Sequence, residues 1–352
     1  MGNGSSIKNR ELRFEARLRE TLESVENIDG SVYYRRYLTA KDRLTAHIYP
    51  MIARVHDEFT DHGLPHVNDV LSKAYQLIAH DDEHFHGLEL YFLGISILFH
   101  DAGMVYAREG HEKIVEVYRD FRVDQYDDYE ESIVLDIVGA HTGRAPDGTV
   151  DTLNYVGNDL VYKGNEIKAQ EIAAVLRFAD ELSEGPFRTL PYAVRNNMFD
   201  IENRIHHRYA STTEIYINTG SNKINLDCLI QLQNYTQEAT GAIDENELRE
   251  FLRYVYDRIR KLNGERKYNK HYTRVLEPFK STEAAFLFRR DAVKYDLGLT
   301  KIVLDDKVIP GDADEEIWVA NPDYELRILI RKISDACRRK PPISFWRRLL
   351  CR

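Results

Sequence analysis

Two histidines lie four residues apart in the stretch FTDHGLPHVNDV, residues 59–70. On a helix, that spacing places the imidazoles of His62 and His66 on one face. The apolar residues that follow at helical spacing, within 70–78, predict an amphipathic helix that packs on a core. Neutral imidazole is a common metal ligand, and it also transfers protons near neutral pH. The stretch therefore indicates metal-binding or proton-transfer chemistry if partner residues exist elsewhere in the chain.

A second polar pair, His100–Asp101, directly follows the most apolar segment of the chain, LELYFLGISILF. Polar groups at the end of a buried helix need strong partners because burial removes their hydration. A divalent metal is an economical partner for imidazole and carboxylate together. The alternative is a capped helix end without a metal. Asp180 emerges in the same way from the apolar run at 172–176 and is a third candidate.

These residues occur in the order His…His-Asp…Asp, on three predicted helices. The order resembles that of the HD superfamily of metal-dependent phosphohydrolases, over roughly residues 50–190. The resemblance implies an all-helical domain whose metal ligands are His66, His100, Asp101 and Asp180. The segment HGLPHVNDV is similar to one in helical cyclic-nucleotide phosphodiesterases. That similarity implies that His62 is the general acid that protonates the leaving oxygen, although a plain surface histidine remains the alternative.

Two further histidines resemble ligands in other branches of the superfamily. His111 resembles a downstream His-Glu, and His141 resembles a histidine that binds a second metal. The chain departs from the phosphodiesterases, which place another histidine sooner after the His-Asp pair. The resemblance implies one or two divalent ions, with Mn, Mg, Fe, Zn and Ni not distinguished, and catalytic roles for His62, Asp101 and His111. The full implied ligand set is His66, His100, Asp101, His111, His141 and Asp180.

Three cations are candidates for binding a phosphate group because each lies near a predicted ligand in sequence. Lys73 follows one turn after Asp69, Arg144 is three residues after His141, and Arg177 is three residues before Asp180. Ordinary surface cations are the alternative for all three. We interpret four remaining histidines as surface or loop residues, namely His84, His86, His206 and His207.

The elements that must position these residues are mainly helical, and we predict a mainly α fold. An all-helical HD-domain core precedes a smaller α+β C-terminal region, where TTEIYIN and KINLDCLIQLQ alternate like strands around a TGSN turn. We expect a long helix after Asp244, strands at AAFLF, KIVL and EIWVA, and a helix opened by Asn321–Pro322. The stretch from 142 to 165 reads as a long loop. The predicted segments are an N-terminal helical extension at 1–40, an HD domain at 41–204, an α+β accessory region at 205–337 and a basic aromatic tail at 338–352.

The charge distribution argues against a broad nucleic-acid surface. The net charge is −10, and the tail holds six basic residues and no acid, so the rest of the chain carries 42 basic against 58 acidic residues. Three cysteines without a pairing pattern favour a reducing compartment. The longest apolar run, residues 90–99, is about half of a bilayer span. We therefore expect a cytoplasmic protein. A loose myristoylation pattern at Gly2 and membrane contact by the tail remain open.

The sequence thus predicts a metal-dependent phosphohydrolase that cleaves a nucleotide or related phosphate ester with a metal-activated water. Its expected partner is a small phosphorylated substrate, and a homo-oligomer is left open. The alternative is an HD-fold signalling module that binds a nucleotide or a partner without turnover. The region after residue 205 resembles nothing that assigns it a role.

Overall fold

The computed structural model describes residues 12–56, 58–111, 114–122, 127–145, 147–158, 160–237, 239–307, 317 and 321–338. The chain forms two compact units. Unit 1 comprises residues 1–57, 61–183 and 266–278, and unit 2 comprises residues 58–60, 184–265 and 279–352. The division differs from the predicted segments because the N-terminal helices belong to unit 1, and because unit 1 also takes a segment from late in the chain.

Unit 1 is built from helices around one buried helix. Its helices are α1 (Arg13–Leu22), α2 (Gly30–His47), α3 (Tyr49–Val55), α4 (Leu64–Ile78), α5 (Gly87–Phe99), α6 (Val115–Phe121), α7 (Asp128–Gly139) and α8 (Ala169–Leu182). Every residue of α5 is buried, as its almost wholly apolar sequence predicts. Helices α1, α2, α4, α7 and α8 pack against it. The end of α5 therefore lies deep in the unit.

Unit 1 is not all-helical, so that part of the prediction was wrong. Strands β1 (Leu160–Tyr162) and β2 (Asn165–Ile167) form an antiparallel hairpin inside the stretch predicted as a loop. Lys163 and Gly164 both have positive φ, as a tight two-residue hairpin turn requires. Strands of three residues are too short to show a periodic pattern in the sequence.

Unit 2 contains a mixed five-stranded sheet. Its strands are β3 (Thr213–Asn218), β4 (Lys223–Gln231), β5 (Ser281–Arg290), β6 (Val293–Tyr295) and β7 (Ile302–Asp305). The order is β3-β4-β5-β6, and β7 also pairs with β5. The predicted hairpin is confirmed, with Thr213 opposite Cys228 and Asn218 opposite Lys223. Strands β4 and β5 are parallel, so a long crossover connects them.

The helices of unit 2 include that crossover. They are α9 (Pro191–Arg195), α10 (Ile201–Thr212), α11 (Glu245–Tyr272), whose last residues from 266 belong to unit 1, and α12 (Leu326–Arg338). Asp244 caps α11 as predicted, because its side chain accepts hydrogen bonds from two backbone N–H groups. Helix α12 begins after a short 3-10 turn at Pro322–Tyr324, four residues later than the sequence indicated. The mainly α fold with an α+β C-terminal part is therefore confirmed at that level.

Several predictions fall on other parts of the chain. The EIWVA strand lies almost wholly outside the described residues, as do Gly2 and the tail beyond Arg338. Among the described residues, one segment, Gly87–Val105, is long and apolar enough to cross a membrane, and 94% of its most apolar window is buried. The segment is the central helix of unit 1 and its continuation, which is compatible with a soluble protein.

Candidate metal centre

Six side chains from different elements of unit 1 meet at the end of α5. His66 lies on the first turns of α4, and Asp180 lies on the last turn of α8. His100 and Asp101 directly follow α5, so its buried end carries them into the interior. The other two, His111 and His141, lie on loops after α5 and α7. All six predicted ligands are thus brought together.

The first group could hold a metal ion through His66, His100 and Asp180. The Nε2 atoms of His66 and His100 lie 3.3 Å apart. The Asp180 Oδ1 atom is 3.2 Å from the His66 Nε2 and 3.6 Å from the His100 Nε2. Both histidines are fully buried, whereas the Asp180 side chain is 30% exposed. The group is therefore open to solvent on the Asp180 side.

The second group consists of Asp101, His111 and His141. The Asp101 Oδ1 atom lies 3.2 Å from the His111 Nε2 and 3.9 Å from the His141 Nε2. The other carboxylate oxygen of Asp101 faces the first group, at 3.2 Å from the His100 Nε2 and 3.5 Å from the His66 Nε2. Asp101 therefore presents one oxygen to each group.

Backbone carbonyls fix the orientation of three of these imidazoles. The Nδ1 atoms of His100, His111 and His141 each lie 2.6–2.8 Å from the carbonyl oxygen three residues earlier. A carbonyl only accepts hydrogen bonds, so each Nδ1 donates its proton to it. In the neutral ring the Nε2 lone pair is then free to bind a metal, which is the usual arrangement of a ligating histidine.

The chemistry of these donors fits a divalent cation. The Nε2 atoms of His66 and His100 face each other at 3.3 Å, with two carboxylates beside them. Neutral nitrogen lone pairs at this distance repel each other unless a cation or a proton lies between them. Imidazole nitrogen and carboxylate oxygen are also the ligands that Zn²⁺, Mn²⁺ and Fe²⁺ accept in proteins. The two groups could therefore hold metal ions.

The charges of the cluster stabilise one another in a buried place. Burial disfavours the charged form of His100, but Asp101 and Asp180 outweigh it and hold the His100 pKa well above its usual value. Burial also opposes ionisation of the two carboxylates, but His100 outweighs it and keeps the pKa of both well below the usual range. The carboxylates are therefore ionised, and a protonated ring or a metal compensates them.

Two residues that support the ligands had no chemical signal in the sequence. Ser183 is fully buried, and its hydroxyl lies 3.1 Å from the His66 Nδ1, where the other histidines have a carbonyl. Gly103 allows the chain to double back, because a Cβ there would lie 2.1 Å from the His111 carbonyl oxygen. Serine and glycine are too common for their types alone to indicate such roles.

The HD-CE family model matches residues 56–261, which is more than half of the chain. The chain belongs to the HD-CE family. The expected HD superfamily resemblance is confirmed, and the match includes all six clustered residues. No curated protein and no solved structure matches the chain. Membership in an HD-type family and the two His/Asp groups together fit a metal-dependent hydrolase.

Not every predicted site residue of this HD-CE chain lies among the clustered ligands. The half-buried His62 ring lies beside that of His66, with the ring centres 5.7 Å apart. Lys73 is buried on α4, two turns beyond His66. Arg144 is exposed and donates to the Gly148 carbonyl 2.8 Å away. The catalytic role of His62 and substrate binding by the two cations remain predictions.

Arg177 supports the backbone beside a predicted ligand. Its guanidinium donates to the Thr152 hydroxyl at 3.0 Å and to the Ala140 carbonyl at 3.4 Å, and it lies over the Tyr268 ring. The Thr152 hydroxyl donates to the same carbonyl at 2.6 Å. Since Ala140 directly precedes His141, these contacts hold the turn that places the His141 ring. Substrate binding by Arg177 remains a prediction.

Of the histidines interpreted as surface or loop residues, His207 is buried on α10, so that interpretation was wrong for it, whereas His84 lies on a loop but is buried there. The His84 Nε2 lies 2.9 Å from a Glu171 carboxylate oxygen in unit 1. In unit 2, His207 is 2% exposed and stacks on the Phe199 ring at 3.5 Å between ring centres. Both are bound by protein groups of their own unit, which the acidic or polar sequence around them did not indicate.

Proposed function

We propose that the chain is a soluble, cytoplasmic phosphohydrolase that cleaves a nucleotide or related small phosphate ester with the help of two divalent ions. The position of Asp101 carries this proposal, since its two oxygens face two different groups of ligands at 3.2 Å from the nearest nitrogen of each. A carboxylate in such a place is suited to be shared by two ions. The number of ions and the phosphate substrate are the parts that need testing.

In the proposal, one ion is held by His66, His100 and Asp180, and the other by His111 and His141, with Asp101 common to both. Bound divalent ions lower the pKa of coordinated water and neutralise charge on phosphoryl oxygens. The protein supplies the orientation, because the carbonyl contacts of three rings and the Ser183 contact of His66 keep the Nε2 atoms directed inward.

The exposed side of the cluster gives the direction from which a substrate would approach. His66, His100 and His141 are at most 1% exposed at their side chains, whereas Asp180 and His111 are 30% and 19% exposed. A phosphate ester therefore has access from the side of these two residues. Its leaving oxygen needs a proton, and His62, which precedes α4 and whose ring lies beside that of His66, is the proposed donor.

The choice of a nucleotide or other phosphodiester substrate rests on the resemblance of HGLPHVNDV to phosphodiesterases. The substrate is therefore tested separately from the metal content. Lys73, Arg144 and Arg177 are the proposed phosphate-binding cations because each lies near a proposed ligand in the sequence.

The first experiment measures metal per chain by elemental analysis after manganese is offered to chelator-free protein. Wild type is compared with Asp101→Ala and with a matched control, Asp81→Ala. The control removes a half-exposed carboxylate that lies 3.6 Å from the His84 Nδ1, away from the six clustered residues. We expect two ions in wild type and in the control, and a value near zero in Asp101→Ala. Circular dichroism checks that each variant is folded.

Other outcomes of this experiment are equally informative. One ion in wild type would leave the first group as a ligand set and contradict the two-ion part of the proposal. No ion in any folded variant would overturn the hydrolase proposal and favour the module that binds without turnover. When two ions are found, hydrolysis of bis(p-nitrophenyl) phosphate by wild type and not by Asp101→Ala tests the phosphodiester assignment.

A further inference from the structure

Unit 2 contains a polar cleft that has no part in the metal centre. Its volume is about 360 Å³, and it lies between the first turns of α11 and the length of α12. Ile330, itself 1% exposed, contributes an apolar surface to its wall. The cationic side chains that line the cleft are Arg249, Arg327, Arg331 and Arg338.

The arginines result from the amphipathic pattern of α12. Its apolar residues Leu329, Ile330 and Ile333 are buried in unit 2. Residues 327, 331 and 338 are separated by four and seven positions, so they fall on one stripe of the helix. Arg249 joins that stripe from α11. Four cations are therefore gathered around one small volume.

Acidic groups compensate only part of this charge. Two carboxylates line the cleft, and one of them, Glu245, accepts a hydrogen bond from the Ser334 hydroxyl at 2.9 Å. The other, Asp335, lies 3.9 Å from the Arg331 guanidinium, whose side chain is 86% exposed. Arg249 donates to the neutral side chain of Asn246. Across the described part of the chain, Asp335 is the one carboxylate within 4 Å of these four guanidinium groups.

We infer that this cleft binds a small anion that carries two or more phosphate groups. Guanidinium groups bind phosphate oxygens in pairs through their planar N–H groups, and arginine is the residue best suited to that contact. The cleft volume lies in the range of small-molecule sites. Four arginines along one cleft exceed what a single phosphate requires. The inference does not rest on the proposed hydrolase activity, because no metal-centre residue lines the cleft.

Isothermal titration calorimetry of the full, metal-free chain with tripolyphosphate tests this inference. We expect one site, with affinity reduced at least about tenfold in Arg327→Gln/Arg331→Gln. The matched control is Arg13→Gln/Arg35→Gln, which removes the same charge from exposed positions in unit 1 and should bind like wild type. Asp101→Ala should also bind like wild type, which separates this site from the metal centre.

Two further measurements test whether the cleft prefers several phosphate groups to one and whether its contacts with the anion are electrostatic. Orthophosphate should bind at least about tenfold more weakly than tripolyphosphate, and raising the salt concentration should weaken tripolyphosphate binding less in the cleft variant than in wild type. Equal binding of the two anions would overturn the multiple-phosphate assignment. Absence of tripolyphosphate binding by wild type, or undiminished binding by folded Arg327→Gln/Arg331→Gln, would overturn the site itself.

Discussion

Buried histidines make different kinds of contact in the two units. In unit 1, the rings of His100 and His141 donate Nδ1–H to carbonyls and direct Nε2 towards carboxylates and other imidazoles. In unit 2, the His207 Nε2 donates to the Glu58 carbonyl at 3.0 Å, and its Nδ1 lies 2.7 Å from the Thr189 hydroxyl. Both nitrogens of His207 are therefore satisfied by neutral protein groups.

The contacts of the two ring nitrogens distinguish a ligating histidine from a structural one even without a bound ion. When one ring nitrogen donates to a carbonyl and the other contacts only lone pairs and carboxylates, the ring requires a cation beside the second nitrogen. When both ring nitrogens have neutral hydrogen-bond partners, no cation is required. Burial alone does not distinguish them, since His100 and His207 are both nearly inaccessible. The surroundings of the second nitrogen decide which role a buried histidine has.

Removal of the His100 ring should change metal binding most, and removal of the structural His207 ring serves as its counterpart. His100→Ala should lower metal affinity at least about 100-fold, because it deletes a ligand that lies beside both carboxylates. His207→Ala should keep the wild-type metal content and lower the free energy of unfolding by about 1–3 kcal/mol. Elemental analysis and urea unfolding measure the two quantities. Equal loss of metal in both variants would show that the surroundings of the second nitrogen do not distinguish a ligand from a structural ring.

The next effect concerns the chain reversal at Gly103. Gly103→Ala places a Cβ against the His111 carbonyl, so His111 must move away from Asp101. We expect one of the two ions to be lost, or bound about tenfold more weakly, as seen by metal titration. Gly139→Ala is the control, since a Cβ there meets nothing within 4 Å and should raise the free energy of unfolding by at most about 1 kcal/mol. Two tightly held ions in Gly103→Ala would show that His111 is no ligand.

A smaller effect is expected at Ser183, which orients His66. Ser183→Ala removes the partner of the His66 Nδ1 and should weaken metal binding by about tenfold. Ser96→Ala is the matched control, because the Ser96 hydroxyl is equally buried and has no hydrogen-bond partner in the described structure. Competition with a chromogenic chelator measures both affinities. A similar loss in the two variants would mean that packing, and not ring orientation, is responsible.

The smallest effect is a pH dependence that arises in unit 2. Burial disfavours the charged form of His207 and lowers its pKa below the usual 6.5. The unfolded chain therefore binds a proton first as the pH falls through 6.5, and the free energy of unfolding decreases until the folded pKa is reached, by at most about 1.4 kcal/mol per pH unit. His207→Gln should flatten this decrease. Urea unfolding of both proteins at pH 7.5 and 5.5 gives the difference.

An unchanged slope in His207→Gln would show that the ring binds its proton equally in the folded and unfolded protein, so that folding does not lower its pKa. The comparison between variants matters here, because the His100 pKa is shifted in the opposite direction and contributes a term of opposite sign. That term is common to both proteins and cancels in the difference.

The sequence was informative where chemistry and burial coincide. His100 and Asp101 follow an apolar helix, and such residues need partners, while the resemblance carried by the order of the residues implied that His66 and Asp180 are those partners. The roles of Ser183 and Gly103 were not predictable, because they depend on a close approach between segments that no local pattern encodes. His207 was misread for the same reason, since its partners Glu58 and Thr189 are distant or unremarkable in sequence.

The elements of the fold also divide into those that a local sequence pattern predicts and those that it does not. The hairpin of β3 and β4 was predictable because six or more alternating residues flank a turn, whereas β1 and β2 have three residues each. Helix α11 was predictable from its cap and its periodicity. Its division between the two units was not, because helical periodicity is the same on both sides of residue 265.

The division of α11 between the two units determines when during synthesis unit 1 is complete. Unit 1 is completed by residues 266–278, where the Tyr272 hydroxyl donates to Asp151 at 2.6 Å and the Thr273 hydroxyl donates to Glu171 at 2.6 Å. Residues up to 278 must therefore be synthesised before unit 1, which contains the candidate metal centre, possesses all of its parts. During translation, all residues of the candidate metal centre are synthesised well before residues 266–278, which follow Asp180 in the sequence and complete the unit.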